Sequence, residues 1–395
     1  MTLTAQPLPM RAPQPQASKP IRVLFVSHTY VVGVNQGKLD AIAQAGAEVG
    51  LLVPQHWQAP QWKKRFEAEN LYPHIQLYPC PIYFEGRAGA HFYPPQAISK
   101  TIRDFKPDII QVEEEVFSLV ALEVAFWARR YRIPVVLFGW ENRDRQLPAP
   151  RRWMRQYVFN STQTILAGNH DGAELVKQWG YLNPVEVMPQ MGVDTELFSP
   201  RLRPQKPSDA PLDIGFVGRI AAHKGIDTLI EAAHLLRQQG LEFCISLCGS
   251  GPDEAQFKQL AHNYNLDDVV VWTGGVRHDE VPQAMAKMDV LVLPSRTIPT
   301  WKEQFGHVLI EAMALGLPVV GSTCGEIPNV VGEPELVFPE GDAAALASIL
   351  ARLITDQPWR QTMATHSLNR VDEHYSHQRI AERSIELWRS IVQAG

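Results

Sequence analysis

The sequence predicts an α/β protein of two Rossmann-like, doubly wound domains. Three observations carry this. Short apolar runs rich in β-branched residues alternate with stretches of helical periodicity. The alternation breaks off near residue 200 in a proline-rich polar stretch and then begins afresh. At 395 residues, the chain is too long for a single hydrophobic core.

The first ordered element is IRVLFVSH (Ile21–His28), a buried-strand run ended by a glycine-containing loop. KLDAIAQAGAEV reads as a helix closing near Gly46, and Gly50–Pro54 as the next strand. Asp108–Glu113 and Pro134–Glu141 are further strands, with the helical SLVALEVAFWARRY between them; Thr164–Asn169 and Val185–Gln190 follow. Strands alternating with helices imply parallel sheets with helical crossovers. Pro200, Pro204, Pro207 and Pro211 mark a linker over residues 199–211.

Asp213–Arg219 opens a second unit, in which a helix follows with a glycine stop, then the strand and turn Phe243–Gly251. VVVWTGG, DVLVLPS and PVVGS supply three more strands. The expected domains are thus 21–198 and 212–375. The amphipathic helix over 376–395 has no following strand, so it either packs back on the first domain or covers its own sheet edge.

Composition narrows the function. Hydrophobic residues at 45% and charged residues at 20% fit a soluble globular protein. A net charge of −5 gives no reason to expect a nucleic-acid partner. Residues 1–200 carry 20 Lys and Arg against 18 Asp and Glu, the remainder 17 against 24; this leaves room for basic patches in the first half. Cys80, Cys244, Cys248 and Cys324 form no CxxC pair, and buried free thiols in a reducing cytosol are expected. The first 20 residues, rich in Pro and Gln, lack a signal-peptide apolar region and read as a disordered tail.

Open α/β sheets bind ligands at the carboxyl ends of their strands, beside helix N-termini. Three junctions in the second half fit. In GFVGRIAAHKG, Gly218 and Arg219 follow a strand and Lys224 precedes a helix; two cations there suit a diphosphate. In CGSGPDE, Gly249 and Gly251 permit a tight turn, but Glu254 stands where a dinucleotide fingerprint needs its third glycine. A plain strand–helix turn is the competing reading. In EQFGHVLIEAMALG, Glu303 falls in the loop before a helix and Glu311 within it. Eight helical residues would rise about 12 Å, the span from a donor sugar across a diphosphate to a ribose. Carboxylates suit hydroxyl recognition, and the N–H groups around Gly306, His307 and Val308 suit the phosphates. A dipole-favoured Glu and an exposed Glu are the plainer alternative.

The last segment resembles the Glu–x7–Glu motif of retaining glycosyltransferase family 4. Gly218-Arg219 and Lys224-Gly225 are similar to that family's phosphate site, GSGP to its G-x-G-P turn, and Gly192–Phe198 to its segment before the linker. The order and spacing of the four also match. The resemblance implies a GT-B fold, two Rossmann-like domains facing a cleft. It also implies a nucleotide-sugar donor, retention of configuration and no metal. It places Arg219 and Lys224 on the phosphates, Glu303 on the sugar and Glu311 on the ribose. UDP-glucose is the favoured donor, from its commonness in such families.

The first half departs from that pattern. Trp140, Glu141 and Asn142 stand where many members carry a His, and are expected to meet sugar or acceptor. The N-terminal glycine loop is replaced by His28–Lys38; here Gly33 would approach the diphosphate while Tyr30, Asn35 and Gln36 line the cleft. The stretches Trp57–Phe66 and Arg151–Phe159 mix aromatic and basic residues. They suit anionic lipid headgroups or a lipid-linked acceptor, with ordinary surface helices as the rival reading. The expected protein is a cytoplasmic enzyme, peripheral to the membrane at most, acting on a glycan or lipid-linked acceptor. A sugar-nucleotide epimerase of the same fold and a non-catalytic sugar-nucleotide-binding scaffold are the competing functions.

Overall fold

A computed structural model describes residues 19–59, 64–207 and 210–394. The expected tail up to residue 18, and Trp62 and Lys63 of the first aromatic-basic stretch, lie outside these residues.

The first half contains β1 (Arg22–Val26), β2 (Glu48–Pro54), β3 (His56–Ala59), β4 (Lys64–Glu67), β5 (Gln76–Cys80), β6 (Ile109–Glu113), β7 (Val135–Gly139), β8 (Thr164–Ala167) and β9 (Val185–Val187). Seven of these form a parallel sheet in the order β5-β2-β1-β6-β7-β8-β9, and β3 and β4 form an antiparallel ribbon beside it. The second half contains β10 (Leu212–Val217), β11 (Phe243–Cys248), β12 (Val270–Gly274), β13 (Val290–Leu293), β14 (Val319–Ser322) and β15 (Val337–Phe338). They form a parallel sheet in the order β12-β11-β10-β13-β14-β15. Helical layers cover both faces, so the central strand β1 is apolar along its buried run: Val23, Leu24, Phe25 and Val26 are all fully buried.

Each sheet reverses its winding beside its first strand, between β1 and β6 and between β10 and β13. These topological switch points open a crevice at the carboxyl ends of the strands. They decide where the site lies.

The chain crosses between the halves twice, at adjoining places. Val193 donates its N–H to the Tyr375 carbonyl, and His377 donates back to that of Val193. A Cβ at Gly192 would stand 2.5 Å from the Tyr375 carbonyl oxygen, so this contact admits only glycine. The helix Gln357–Arg370 widens into a single π turn, Val371–Tyr375, just before the crossing.

The C-terminal helix His377–Ala394 then packs against the first domain, not against its own sheet edge. Its Ile380, Ala381, Ile385 and Trp388 join the core formed by Val23, Phe25, Leu39 and Leu51. The Trp388 indole N–H donates to Gln111 Oε1 at 3.0 Å. Gln111 donates in turn to Glu113. Among the described residues, no helix is long and apolar enough to cross a membrane, and all four cysteines are free thiols, with Cys248 and Cys324 buried.

Trp388 is fully buried and hydrogen-bonded. Trp388→Ala is therefore expected to lower stability by about 3–5 kcal/mol, read as a lower urea midpoint of the first domain's transition. A shift within 0.5 kcal/mol, the ordinary range for a surface substitution, would show that the helix is not part of that core.

Candidate active site

The loops after β10 and β11 are stitched edge to edge. Gly218 donates to the Cys248 carbonyl and Ile220 to that of Ser250. A Cβ on Gly249 would lie 1.8 Å from the Gly218 carbonyl oxygen, and one on Gly251 1.9 Å from that of Ile220. Close packing of two loops explains these glycines without a nucleotide, the plainer of the two sequence readings. The consequence is a rigid bed for the loop that carries Arg219 and Lys224.

Beside that bed lies a cavity of about 190 Å³ whose lining includes Gly218, Arg219, Lys224, Glu303, His307 and Val308. Lys224 Nζ donates to Glu303 Oε2 at 2.7 Å, and the same oxygen accepts from Ser295 Oγ at 3.1 Å. The ammonium also sits 4.5 Å from the centre of the Trp301 ring, a cation–π contact. Glu303 is buried and Lys224 half-buried, whereas Arg219 is exposed and has no ion-pair partner among the described residues. Gly306 also lines this cavity; in the left-handed conformation, it begins the helix His307–Ala314 with no side-chain cap. One guanidinium, one ammonium and the positive end of a helix thus converge on a small volume, a setting for a polyanion.

Glu311 lies one turn into that helix. It is half-buried rather than exposed, and loss of hydration pushes its carboxyl up to about 7 with no charged partner to oppose the shift. A carboxyl held so, without a hydrogen-bond partner among the described residues, is ready to accept hydroxyl donors.

The opposite wall is the first domain's carboxyl edge, and here the structure corrects the sequence reading. Tyr30 is fully buried with its hydroxyl on Glu113 Oε2 at 2.6 Å. Gln36 is buried and donates to the carbonyls of Tyr30 and Glu69, while Asn35 donates to the Thr29 carbonyl. These three side chains hold their own loop together rather than lining the cleft. The Gly33 N–H donates to Glu69 Oε2 at 2.6 Å, and a Cβ there would meet Leu71 at 2.5 Å, so Gly33 is closed off by protein atoms in this conformation.

Trp140 and Asn142 do reach the domain interface, whereas Glu141 is paired within the first domain. The Trp140 carbonyl accepts from Gln304 Nε2 at 3.0 Å. Asn142 Nδ2 lies 3.4 Å from the carbonyls of both Lys302 and Glu303, and Glu141 pairs with Arg145. Trp140 also lines a second cavity of about 190 Å³ with Phe305 and His307, between the two domains.

The sequence reading missed the acidic run Glu113-Glu114-Glu115 at the end of β6. Glu115 accepts the N–H groups of Trp140 and Glu141 and is pushed up to about 7, chiefly by burial. Glu114 Oε1 accepts from His28 Nδ1 at 2.5 Å. Three consecutive carboxylates closing a buried strand was the available signal. Across the interface, Glu326 takes both the backbone N–H and the Nδ1 of His170, and Lys302 pairs with Asp171 at 2.6 Å.

The basic residues of the aromatic stretches are largely engaged within the protein. Arg65 forks onto Glu85, and Arg151 donates to the carbonyls of Gly89 and Phe117. Met154, Val158 and Phe159 turn inward, leaving Trp153 exposed. This is the pattern of a surface helix with inward-facing apolar residues.

Comparison with known proteins places this arrangement. Residues 39–197 match the domain family "Glycosyltransferase Family 4", and residues 199–370 match "Glycosyl transferases group 1". The chain is 39% identical over 174 residues to the putative colanic acid biosynthesis glycosyltransferase WcaL of Escherichia coli (strain K12), covering 42% of each chain. It is 27% identical to the sulfoquinovosyl transferase of Arabidopsis thaliana, over 87% of this chain and 69% of that one. Its fold matches Anabaena HepE, solved in complex with UDP, at a TM-score of 0.68 and 19% identity, covering 94% of this chain and 100% of that one. The fold is therefore GT-B, and the chain is glycosyltransferase family 4-like.

Burial pushes the Glu311 carboxyl up to about 7, against 4.5 for a free side chain. A raised carboxyl pKa favours the folded state at low pH, and stability is lost as pH rises from 4.5 to 7. Glu311→Gln should therefore raise the urea midpoint at pH 8 relative to wild type and leave it unchanged at pH 4.5. An equal effect at both values would show that ionisation is not involved.

Proposed function

We propose that the protein transfers a hexose from a nucleotide sugar, UDP-glucose being favoured, to a glycan, glycolipid or lipid-linked acceptor with retention of configuration. The observation that carries this reading is the cavity in which Arg219, Lys224, Glu303 and a helix N-terminus meet at the second sheet's switch point. The names of WcaL and the sulfoquinovosyl transferase, and the UDP in Anabaena HepE, agree with it. Polysaccharide or glycoconjugate biosynthesis is the proposed setting.

In this mechanism the diphosphate settles between Arg219 and Lys224. The phosphate charge draws the ammonium off Glu303, whose carboxylate then accepts hydrogen bonds from donor-sugar hydroxyls. Glu311 accepts from the ribose. As the bond between C1 and the phosphate oxygen breaks, the developing charge meets two cations and a helix dipole already in place, and no metal is needed at the diphosphate. The acceptor oxygen attacks C1 from the face the phosphate leaves, and its proton passes to a phosphate oxygen. Trp140 and Asn142, at the interface, form the facing wall. No observation favours the epimerase or the non-catalytic scaffold.

A thermal-shift screen of UDP-, GDP- and ADP-sugars identifies the base, since ligand binding raises the unfolding temperature by mass action. With the best donor, Arg219→Ala and Lys224→Ala are each expected to lower kcat/KM by about 10²–10³, while Glu340→Gln, beyond the cavity, stays near wild type. Unchanged turnover in both cavity variants would refute the phosphate assignment.

A further inference from the structure

The switch point of the first sheet carries a second group of chemically capable side chains, separate from the donor cavity. His28 follows β1, Glu114 follows β6, and His91 comes from the segment between β5 and the helix Ala97–Phe105. One ligand atom from each lies within 4.8 Å of the other two. Trp57 of β3 roofs the group, its ring centre 4.4 Å from that of His28 and 4.9 Å from that of His91.

We propose that His28, His91 and Glu114 form a binding site for a divalent transition-metal ion of the zinc class. The argument starts from His91. It is fully buried, and neither ring nitrogen makes a well-formed hydrogen bond, a condition native interiors avoid. His91 Nε2 stands 3.6 Å from Glu114 Oε1, too far for a good hydrogen bond. Two ligands about 2.0–2.1 Å from a tetrahedral ion lie roughly 3.4 Å apart. The gap therefore fits an ion shared by the imidazole and the carboxylate.

His28 Nδ1 stands 2.5 Å from the same Glu114 oxygen; release of the shared proton to solvent and a retreat of roughly 1 Å bring it to ligand spacing. Two imidazoles and one carboxylate favour zinc, cobalt or nickel over magnesium or calcium, which prefer all-oxygen shells. Three protein ligands leave a coordination position for water or a substrate oxygen. Bound there, the ion joins three segments of the wall that also carries Trp140, whose ring centre is 6.5 Å from that of His28.

The test uses the full chain stripped with chelator and then titrated with Zn(II) or Co(II) alone. Wild type should take up one equivalent per chain by elemental analysis after gel filtration, gain thermal stability, and show the visible absorption of protein-bound Co(II). Mg(II) should give no shift. His91→Gln and Glu114→Gln should each weaken zinc binding at least tenfold, as should His28→Gln, whose side chain keeps 14% of its surface exposed and so puts folding least at risk. Lys224→Ala should still bind one zinc, which separates this site from the donor reading. No stoichiometric zinc in wild type, or equal binding by folded His91→Gln and His28→Gln, would overturn the proposal.

Discussion

The buried contact between Lys38 and Glu113 is the fixed point of the cleft. Lys38 Nζ lies 2.6 Å from Glu113 Oε1, and both side chains are shut off from water. Two charges in such a setting are tolerable only when their remaining hydrogen bonds are met. Glu113 meets that condition, accepting also from Gln111, Tyr30 and Gln190. Those donors come from its own strand, from the loop after β1 and from the segment leading to the domain crossing. Through Gln111, the network reaches Trp388 of the C-terminal helix. One carboxylate thereby ties the first sheet's switch point to the two passages of chain between the domains.

That anchoring gives the two walls different characters. The first wall is acidic, and Tyr30, Asn35 and Gln36 of the loop after β1 turn inward to hold its shape. The second holds its charges in a form that a ligand can exchange: Lys224 and Glu303 are paired with each other, and Arg219 is exposed. Under the proposed function, a polyanion entering the second wall would replace one ion pair with another and free a carboxylate for the next group along the ligand. The interface contacts from Asn142 and Gln304 brace the segment Lys302–Gln304 against the first domain, so the placement of Glu303 depends on the domains meeting.

Periodicity made the sheets legible because parallel strands buried on both faces read as unbroken apolar runs, as RVLFV does. The grouping of Arg219, Lys224 and Glu303 around one cavity was legible for a different reason. Its residues sit at strand ends within short segments, so local spacing carries the geometry. The first wall was not legible in this way. Tyr30, Asn35 and Gln36 look like cleft residues in a polar loop, yet their partners are the Glu113 carboxylate and the backbone carbonyls of Thr29, Tyr30 and Glu69. Glu113 lies 83 residues from Tyr30 and 75 from Lys38. Contacts of that separation leave no periodic trace. Gly249 and Gly251 show a related limit: glycine marks a close approach without saying whether protein or ligand makes it.

The most direct test of the central claim is a crystal structure of the protein with an intact nucleotide sugar bound. The account predicts the diphosphate within hydrogen-bond distance of Arg219 and Lys224, with the Lys224–Glu303 pair opened and Glu303 turned to a sugar hydroxyl. A nucleotide seated elsewhere, or one bound here with Lys224 still paired to Glu303 and Arg219 facing solvent, would contradict it.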